Sequence, residues 1–403
     1  MSRALIKNSS LNGTLALPPS KSAAHRALIC SFLSGGGAVS PIINSNDMKA
    51  TVGVIESLKN GKSTANCLES GSTMRFMIPV AAALGKEITF TGEGSLLSRT
   101  AGEYIELLPK HGVTVESNGF LPLKISGRLK CGSYEVNGNV SSQYITGLLF
   151  ALSVADGDSA IILKTPLQSK PYVDMTLKVM ADYGVSACET DFGYLVHGNQ
   201  KYAVRDYTVE GDWSHAAFFM SAAAIGGEVT LTGVDFNSTQ GDKAVVDVMR
   251  RFGASVETGE GSITCKKGKL HGIEIDCTDI PDMVPAIAVT AAFAQGKTII
   301  KGAERLRLKE SNRIKSVVEN LNKMGVGAEE TQDGMIISPC GAVHGAELCG
   351  YNDHRIVMAF SAAGLFAKGE TVITDAESIN KSYPSFFEDY NKLGGKANVI
   401  NLR

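Results

Sequence analysis

Seven cationic side chains lie at points where the sequence predicts helices to begin. They are Lys21, Arg26, Arg99, Lys309, Arg313, Arg355 and Lys381. A helix start offers unpaired N–H groups and the positive end of the helix dipole, so it binds anions and disfavours cations. Arg355 at such a start, and Lys309 four residues before Arg313, are unfavourable unless an anion lies beside them. The pattern predicts sites for small molecules that carry phosphate or carboxylate groups.

Neutral hydrogen-bond donors accompany these cations in the first half of the chain. Three turns, PPSKSAAHRAL, ESGSTMR and VSSQYITGLL, each precede an Ala-rich segment. Gly71 in the second turn would allow a ligand close to the backbone. The third turn would donate to a phosphate through Ser141, Ser142 and Gln143. Each turn alone is compatible with a plain helix cap, such as a serine at the first turn. Their shared position in a repeat favours convergence on one cleft.

Two acidic residues are candidates for acid–base chemistry between the anion sites. Asp282 stands in IPDMVPAIAV, and Glu310 stands in LRLKESNRI. A carboxylate can remove a proton from an attacking hydroxyl, and a carboxylic acid can deliver one. Asp282 is also compatible with a simple role as the N-cap of a helix.

The elements that must position these residues recur six times. An Ala-rich helix, a glycine and a β-branched run alternate with an amphipathic helix, a glycine and a strand. The glycines that follow the helices are Gly37, Gly61, Gly85, Gly112, Gly157, Gly184, Gly227, Gly253, Gly296, Gly325, Gly369 and Gly394. The repeat length is about 70 residues, and the first repeat is shorter. These positions account for part of a glycine excess, since 43 of 403 residues is about 11%, against about 7% in ordinary proteins.

The repeat predicts an α/β protein of two similar domains, each built from three repeats. We place the first domain at 20–210 and the second at 1–19 plus 211–403, because VEGDWSHAAFF resembles the opening PPSKSAAHRAL. The leading segment LNGTLALP would then pair with the second domain. A non-catalytic repeat scaffold is the alternative, but a scaffold would not require charged and polar connections between its repeats.

Composition argues against several classes of protein. The formal net charge of −2 does not fit a protein held to nucleic acid or to a membrane surface by bulk positive charge. No apolar stretch reaches the roughly 18 residues of a membrane span. The N-terminus MSRALIKNSS lacks the apolar core of a secretion signal. The eight cysteines show no metal-type spacing, so we expect free thiols in a cytoplasmic protein.

Eight short motifs match those of a known family. PSKS-x-x-x-R, SGSTMR, VSSQ, SKPY, IPD, LKES-x-R, NDHR and K-S-Y-P occur in this order. The chain thereby resembles the 5-enolpyruvylshikimate-3-phosphate synthase family along nearly its full length. The resemblance implies two domains of three βαβαββ repeats each. It implies transfer of the enolpyruvyl group of phosphoenolpyruvate to the 5-hydroxyl of shikimate 3-phosphate, through a tetrahedral intermediate, with release of phosphate. It also implies a monomer of the shikimate pathway that acts on small molecules without a metal or an organic cofactor.

The resemblance assigns roles residue by residue. The residues implied to bind shikimate 3-phosphate are Lys21, Ser22, Arg26, Ser141, Ser142, Gln143, Ser169, Tyr172, Asp282 and Lys309. Those implied to bind phosphoenolpyruvate are Lys21, Gly71, Arg99, Gln143, Arg313, Arg355 and Lys381. Asp282 resembles the base that takes the proton of the attacking hydroxyl. Glu310 resembles the group that handles the methylene proton, and Lys21 is a further acid–base candidate. Because these residues fall on both domains, we expect the domains to close on substrate.

Four positions differ from the family's commoner pattern. His25 and Glu69 each replace an asparagine, and Thr100 replaces a proline. Arg305 replaces an asparagine that contacts shikimate 3-phosphate in some members, so that contact is not expected here. Gly71 is retained, and we therefore expect sensitivity to glyphosate, an analogue that occupies the phosphoenolpyruvate site.

Three other functions compete with this one. The sister enolpyruvyl transferase that acts on UDP-N-acetylglucosamine has the same six-repeat build, but its loop cysteine has no counterpart near Arg99. A phosphate cyclase of similar repeats would need a nucleotide site, and no Gly-rich P-loop is present. A non-catalytic anion-binding scaffold would keep the cations but would need neither Asp282 nor Glu310.

Overall fold

The structure is a computed structural model that describes residues 2–339 and 341–401. The chain divides into two units. The first unit is Pro19–Val209, and the second unit joins Met1–Pro18 to Glu210–Arg403.

Strands and helices alternate through both units. The strands are β1 Ser2–Lys7, β2 Asn12–Ala16, β3 Val39–Ser40, β4 Thr64–Asn66, β5 Ile88–Thr91, β6 Val113–Glu116, β7 Leu123–Gly127, β8 Ser133–Asn137, β9 Ser159–Thr165, β10 Ala187–Thr190, β11 Gly193–Val196, β12 Tyr207–Thr208, β13 Glu228–Thr232, β14 Ser255–Gly259, β15 Ser262–Lys266, β16 Glu274–Asp276, β17 Thr298–Lys301, β18 Gly327–Glu330, β19 Met335–Ser338, β20 Glu347–Leu348, β21 Thr371–Thr374 and β22 Lys396–Asn401. The α-helices are α1 Lys21–Ser34, α2 Asn46–Lys59, α3 Gly71–Ala83, α4 Gly102–Leu107, α5 Ser142–Ser153, α6 Lys170–Asp182, α7 Trp213–Gly226, α8 Val245–Phe252, α9 Val284–Ala292, α10 Arg313–Lys323, α11 His354–Gly364 and α12 Phe386–Lys392. Short 3₁₀ turns cover Gly94–Ser98, Leu108–His111, Gly241–Ala244, Pro281–Met283, Glu304–Leu308 and Ala376–Lys381.

Within the described residues, five four-stranded sheets share one arrangement of strands. In the sheet β4-β5-β7-β6, for example, β4 and β5 are parallel, and the other two pairs are antiparallel. The sixth sheet pairs β3 of the short first repeat in parallel with β12, which comes from the end of the first unit. In three of these sheets the elements follow one another along the chain as a βαβαββ repeat, and in the other two the chain start supplies one strand of the repeat, β1 or β2. The predicted α/β fold of six related repeats is therefore confirmed.

The N-terminal strands complete two sheets of the second unit. Strand β2 pairs in parallel with β13, with Asn12 opposite Glu228 and Ala16 opposite Thr232. Strand β1 pairs antiparallel with both β21 and β22. Because ladder hydrogen bonds tie a strand to its sheet, the chain start belongs with the C-terminal half of the sequence.

Two kinds of helix alternate, as their sequences predict. Helices α3, α5, α7, α9 and α11 are buried on nearly all sides. Helices α8 and α10 instead bury one apolar face and expose charged residues. The small side chains of α7, α9 and α11 allow these three helices to contact one another. Several helix starts carry the residues predicted to do chemistry.

The repeat glycines end helices or permit close backbone approach. Eleven of the twelve have a positive φ, a conformation that is unfavourable for residues with a Cβ. The exception is Gly227, whose φ is −148°. A Cβ at that position would collide with the backbone carbonyl oxygen of Leu11.

Within the described part of the chain, no helix is long and apolar enough to cross a membrane. Seven cysteines are free thiols, and Cys340 lies outside the described residues. Burial raises the pKa of Cys67 and of Cys265 to about 12 each, so these two thiols are unreactive at neutral pH.

Gly53 and Gly37 are expected to respond oppositely to alanine. Gly53 lies inside α2, where an added Cβ meets no atom within 4 Å. Gly53→Ala should therefore raise the free energy of unfolding by roughly 0.5–1 kcal/mol through helix propensity. Gly37 has a φ of +96°, and a Cβ there would collide with the carbonyl oxygen of Arg205. Gly37→Ala should therefore lower the free energy of unfolding by more than about 1 kcal/mol. Urea denaturation measures both, and changes of the same sign would contradict the assigned roles of these two glycines.

Candidate active site

Helix α1 begins with a cation that is paired with a carboxylate. Ser20 caps the helix, because its Oγ accepts a hydrogen bond from the backbone N–H of Ala23 at 3.4 Å. Lys21 Nζ lies 2.7 Å from Asp47 Oδ2, and each side chain is 13% exposed. Asp47, which the sequence pattern did not single out, therefore partly neutralises the first predicted site residue.

Arg26 is a buried cation held by neutral groups. Its guanidinium donates to the carbonyls of Ser22 and Tyr172, both at 2.7 Å, and to Thr176 Oγ1 at 2.8 Å. No carboxylate of the described residues pairs with it. Burial is the main cause that lowers the pKa of Arg26 to about 10, so the group remains charged at neutral pH. This positive charge is available to an anionic ligand.

Gly71 opens helix α3 beside two guanidinium groups. A Cβ on Gly71 would lie 2.7 Å from Arg99 Nη1 and 2.9 Å from Arg75 Nη1. Arg75 donates to Gln143 Oε1 at 2.9 Å, and Gln143 Nε2 donates to Ser72 Oγ at 2.8 Å. The missing side chain of Gly71 thus lets both arginines approach the helix start, and Gln143 links that start to α5.

Serines mark the starts of α5 and α6. Ser141 caps α5 by accepting from the backbone N–H of Gln143 at 3.3 Å, and Ser142 is the first residue of the helix. Ser169 precedes α6 in a left-handed conformation with φ of +56° and is buried. Because Arg26 joins α1 to α6 and Gln143 joins α5 to α3, the predicted residues of the first unit lie on helix starts that are connected in pairs.

In the second unit, the carboxylate of Asp282 lies among three cations. Its Oδ1 is 2.9 Å from Arg313 Nη1 and 3.7 Å from Lys309 Nζ, and its Oδ2 is 2.9 Å from Arg355 Nη2. Asp282 stands in the 3₁₀ turn before α9 and does not cap that helix. The charge pattern predicted an anion beside these cations, and in this structure the protein itself provides one.

Arg313 has two further carboxylate partners. Its side chain is 1% exposed. Asp353 accepts from its Nε at 2.8 Å and from its Nη2 at 3.3 Å, and Glu310 Oε2 lies 2.6 Å from Nη2. Asp353 also caps helix α11. Asp353 was not among the predicted site residues, although an acid directly before a predicted helix is the usual signal of an N-cap.

These contacts shift the pKa values of Asp282, Lys309 and Arg313. Burial alone would raise the pKa of Asp282, but Arg355, Lys309 and Arg313 hold it well below its usual value. Burial lowers the pKa of Lys309 to about 8, although Asp282 acts in the opposite direction. Burial also disfavours the charge of Arg313, but its three carboxylate partners raise its pKa above the ordinary value. Asp282 is therefore a weak base in this state, and Lys309 can exchange a proton near neutral pH.

Lys381 is fixed beside the start of α11. It ends the 3₁₀ turn Ala376–Lys381, is 4% exposed, and donates to the carbonyl of Asn352 at 2.8 Å. Arg355, two residues after Asp353, also donates to the backbone carbonyl of Asp282 at 3.2 Å. The predicted residues of the second unit are thus joined through the segment that precedes α11.

Two departures from the family pattern serve the packing of the first unit. His25 points into the core, where its Nδ1 lies 2.7 Å from Thr51 Oγ1, and burial followed by nearby cations keeps its pKa well below the usual value. Glu69 accepts from the backbone N–H of Ser95 at 3.1 Å. The carboxylate of Glu69 therefore supports the loop that leads to Arg99.

The other two departures hold loops in place. The Thr100 hydroxyl donates to the carbonyl of Gly119 at 3.1 Å and accepts from the backbone N–H of Gly102 at 2.8 Å, contacts that a proline could not make. Arg305 donates to the carbonyl of Thr278 at 3.0 Å. These contacts fix the segment after Arg99 and the segment before Asp282.

The two groups of residues are suited to different tasks. The first unit offers a buried cation and neutral donors at helix starts, which is the chemistry of a phosphate site. The second unit offers a carboxylate and a lysine with shifted pKa values among arginines, which is the chemistry of proton transfer next to an anion. The fold and the site together define an α/β enzyme that binds small anionic substrates.

Comparison with known proteins gives the family. The family model of EPSP synthase (3-phosphoshikimate 1-carboxyvinyltransferase) matches residues 60–390. The chain belongs to the EPSP synthase family. Relatives named 3-phosphoshikimate 1-carboxyvinyltransferase are 41% identical in Clostridium novyi (strain NT), over 96% of each chain, and 40% identical in Clostridium kluyveri, over 97% of each chain. A solved EPSP synthase from Acinetobacter baumannii is 27% identical, with a TM-score of 0.83 over 100% of both chains.

Asp353→Asn tests the buried ion pair of Arg313. Asparagine can still cap α11, but it removes one negative charge from a guanidinium that is 1% exposed. We expect the free energy of unfolding to fall by about 3 kcal/mol, because breaking a buried ion pair leaves a charge uncompensated. Urea denaturation at pH 7 measures the change.

Glu257→Gln is the matched control for this variant. It breaks an exposed pair with Lys266, in which the Glu257 side chain is 68% exposed. Its effect should stay within about 0.5 kcal/mol. Equal losses in the two variants would contradict a special role for Asp353.

Proposed function

We propose that the protein transfers the enolpyruvyl group of phosphoenolpyruvate to the 5-hydroxyl of shikimate 3-phosphate, with release of phosphate. The relatives from Clostridium carry the name of this activity, and the similarity covers nearly the whole chain. The activity is a transferase step of the shikimate pathway, which leads to aromatic amino acids. The observation that carries the proposal is the position of the Asp282 carboxylate among three cations. These cations can pair with an anionic substrate in place of Asp282.

Shikimate 3-phosphate is proposed to bind chiefly to the first unit. The proposed residues there are Lys21, Ser22, Arg26, Ser141, Ser142, Gln143, Ser169 and Tyr172. Arg26 supports this assignment, since it is a buried cation whose hydrogen bonds in this structure go to neutral oxygens. Asp282 and Lys309 of the second unit are proposed to contact the hydroxyls of the same substrate.

Phosphoenolpyruvate is proposed to bind to cations of both units. The proposed residues are Lys21, Gly71, Arg99 and Gln143 of the first unit, and Arg313, Arg355 and Lys381 of the second. Gly71 supports this assignment, because its missing side chain leaves two guanidinium groups beside a helix start. Near-zero net charge and local cation clusters favour such small substrates over nucleic acid or membranes. We also propose that the enzyme is a cytoplasmic monomer, as the family resemblance implies.

Asp282 is proposed to act as the base that deprotonates the attacking hydroxyl. In this structure its ion pairs with Arg313 and Arg355 keep its pKa low, and a base with a very low pKa transfers protons poorly. A substrate phosphate or carboxylate that binds these arginines would weaken both pairs. The pKa of Asp282 would then rise towards the range in which a carboxylate is an effective base. Binding of the anion would in this way activate the base.

Proton delivery to the methylene carbon is proposed for Glu310 or Lys21. Glu310 lies 2.6 Å from Arg313 Nη2, and Lys21 lies 2.7 Å from Asp47 Oδ2, so each takes part in an ion pair. Addition of the hydroxyl forms a tetrahedral intermediate that carries the phosphate. Fixed cations then stabilise the charge of the departing phosphate, as preorganised donors do in other transfer reactions.

Phosphate release tests the reaction and its base. The protein is incubated with phosphoenolpyruvate and shikimate 3-phosphate, and phosphate is measured over time. Asp282→Asn keeps the size of the side chain but removes the basic oxygen. We expect kcat to fall by about 10² to 10⁴, the usual contribution of a general base.

Asp247→Asn is the control, because Asp247 is an exposed residue on α8 and 79% of its side chain is accessible. Its kcat should match that of the natural protein. Phosphate release with UDP-N-acetylglucosamine, but not with shikimate 3-phosphate, would replace the proposed function by that of the sister transferase. No release with either acceptor would favour a non-catalytic anion-binding protein.

Gly71→Ala tests the proposed phosphoenolpyruvate site. The new Cβ would lie 2.7 Å from Arg99 Nη1, so the guanidinium must move away from the helix start. We expect the inhibition constant of glyphosate to rise about tenfold or more, which corresponds to about 1.4 kcal/mol. Steady-state inhibition against phosphoenolpyruvate measures it. If both proteins show the same constant, Gly71 does not border this site.

A further inference from the structure

A second buried carboxyl, Asp242, lies near Asp282 and has no role in the mechanism above. It stands in the 3₁₀ turn Gly241–Ala244 and is 3% exposed. Ser214 Oγ, from the first turn of α7, donates to its Oδ2. Its Oδ1 is buried without a hydrogen-bond partner among the described residues. Burial of a carboxylate with one hydrogen bond costs more free energy than burial of the neutral, protonated carboxyl.

The charges that face Asp242 also favour the protonated form on balance. Burial is the largest cause and Asp282 the next, and with a smaller contribution from Asp212 they raise the pKa of Asp242 to about 7. Arg355 and the hydrogen bond from Ser214 act in the opposite direction.

Further titratable groups lie on the turn of Asp242 and on the elements packed against it. The buried His215 of α7 is one of them, and its Nε2 lies 3.3 Å from Ser382 Oγ. The Cys277 thiol is close enough to be influenced by Asp242, and its own pKa is raised to about 12, chiefly by burial. Lys243 of the same turn donates to the carbonyls of Phe236 and Ser238. The charged residues of the adjacent helix α8 are exposed to solvent.

Arg355 connects this carboxyl to the substrate site. It is paired with Asp282 at 2.9 Å, and the proposed function requires it to exchange that partner for an anionic substrate. An ionised Asp242 would add a second negative charge near Arg355. That charge would compete with the substrate for the guanidinium and would repel the substrate directly.

We propose that Asp242 is a positioning residue that must remain protonated for Arg355 to bind phosphoenolpyruvate. Ionisation of Asp242 then limits substrate binding at alkaline pH. The inference rests on the proposed function of Arg355, but the protonation of Asp242 can be tested without any substrate.

The first measurement is protein stability against pH, in the natural protein and in Asp242→Asn. The folded protein holds this proton up to a pH of about 7, whereas an unfolded aspartate releases it near its ordinary value of about 3.9. The folded state therefore binds more protons than the unfolded state within that window, and stability falls as the pH rises through it. Relative to Asp242→Asn, the natural protein should lose about tenfold in its folding constant per pH unit between about pH 4 and pH 7. Above about pH 7 the ratio should level off.

The second measurement is the KM for phosphoenolpyruvate from pH 5.5 to pH 9, a range of roughly 3.5 units around the neutral region. Asp242→Asn copies the uncharged carboxyl. The ratio of KM in the natural protein to KM in this variant should rise up to about tenfold per unit above pH 7, while the ratio of kcat changes less. A residue with a merely structural role would shift KM equally at every pH.

Ser214→Ala provides a second variant that does not alter the carboxyl itself. It removes the hydrogen bond that lowers the pKa of Asp242, so the rise in KM should move to higher pH. Asp247→Asn, on the exposed face of α8, should keep the natural profile.

The possible outcomes separate this inference from the proposed function. Parallel stability curves for the natural protein and Asp242→Asn would show that Asp242 is ionised throughout, and the inference would be wrong. Diverging stability curves with parallel KM profiles would also overturn it, since the proton would then not affect substrate binding. Absence of turnover in the natural protein at every pH would instead refute the proposed function, while the stability measurement would still decide whether Asp242 holds its proton.

Discussion

The organisation of the second unit depends on the carboxylate of Asp282. It contacts Lys309 and Arg313 of one segment of the chain and Arg355 of another, and these three cations would otherwise repel one another. Burial of Arg313 at 1% exposure is tolerated only because carboxylates surround its guanidinium. The ion pairs therefore fix the relative positions of the turn before α9, the start of α10 and the start of α11. They also hold the positive charges that an anionic substrate requires.

In the proposed mechanism, the same ion pairs make the proton affinity of Asp282 depend on whether an anionic substrate is bound. A carboxylate that is paired with two arginines has a low proton affinity. Its proton affinity rises when a substrate phosphate takes over those arginines. Under this proposal the second unit is stable without substrate, and Asp282 becomes a stronger base when substrate binds. The free energy of anion binding would offset the loss of these ion pairs. Part of the binding energy would then serve the chemical step rather than affinity alone.

The fold was predictable because its signals are local. A glycine after each helix and the alternation of Ala-rich with amphipathic helices recur in every repeat, and eleven of the twelve repeat glycines have the predicted conformation. The positions of the candidate cations beside helix starts were predictable for the same reason. Most of their ion pairs were not predictable, because Lys21 and Asp47 are 26 residues apart and Asp282 and Arg355 are 73 residues apart. Such pairs depend on how helices pack, and the sequence pattern of one helix carries no information about them. The unfavourable cations did require an anion, as predicted, but the protein supplies that anion before any ligand does.

The arginines of the two units differ in whether a carboxylate neutralises them. Arg26 is held by a hydroxyl and two backbone carbonyls, which orient the guanidinium but leave its charge uncompensated. An anion proposed to bind at the first unit would therefore meet a preoriented cation that no carboxylate of the described residues neutralises. At the second unit an anion must first compete with Asp282 for Arg355 and Arg313. The free energy of binding there is the difference between the ion pair that forms and the one that breaks. It is therefore smaller than at the first unit and more sensitive to any further charge near the arginines. Under the proposed function, substrate affinity at the first unit depends mainly on hydrogen-bond geometry, whereas at the second unit it depends on the protonation of the neighbouring carboxyl groups.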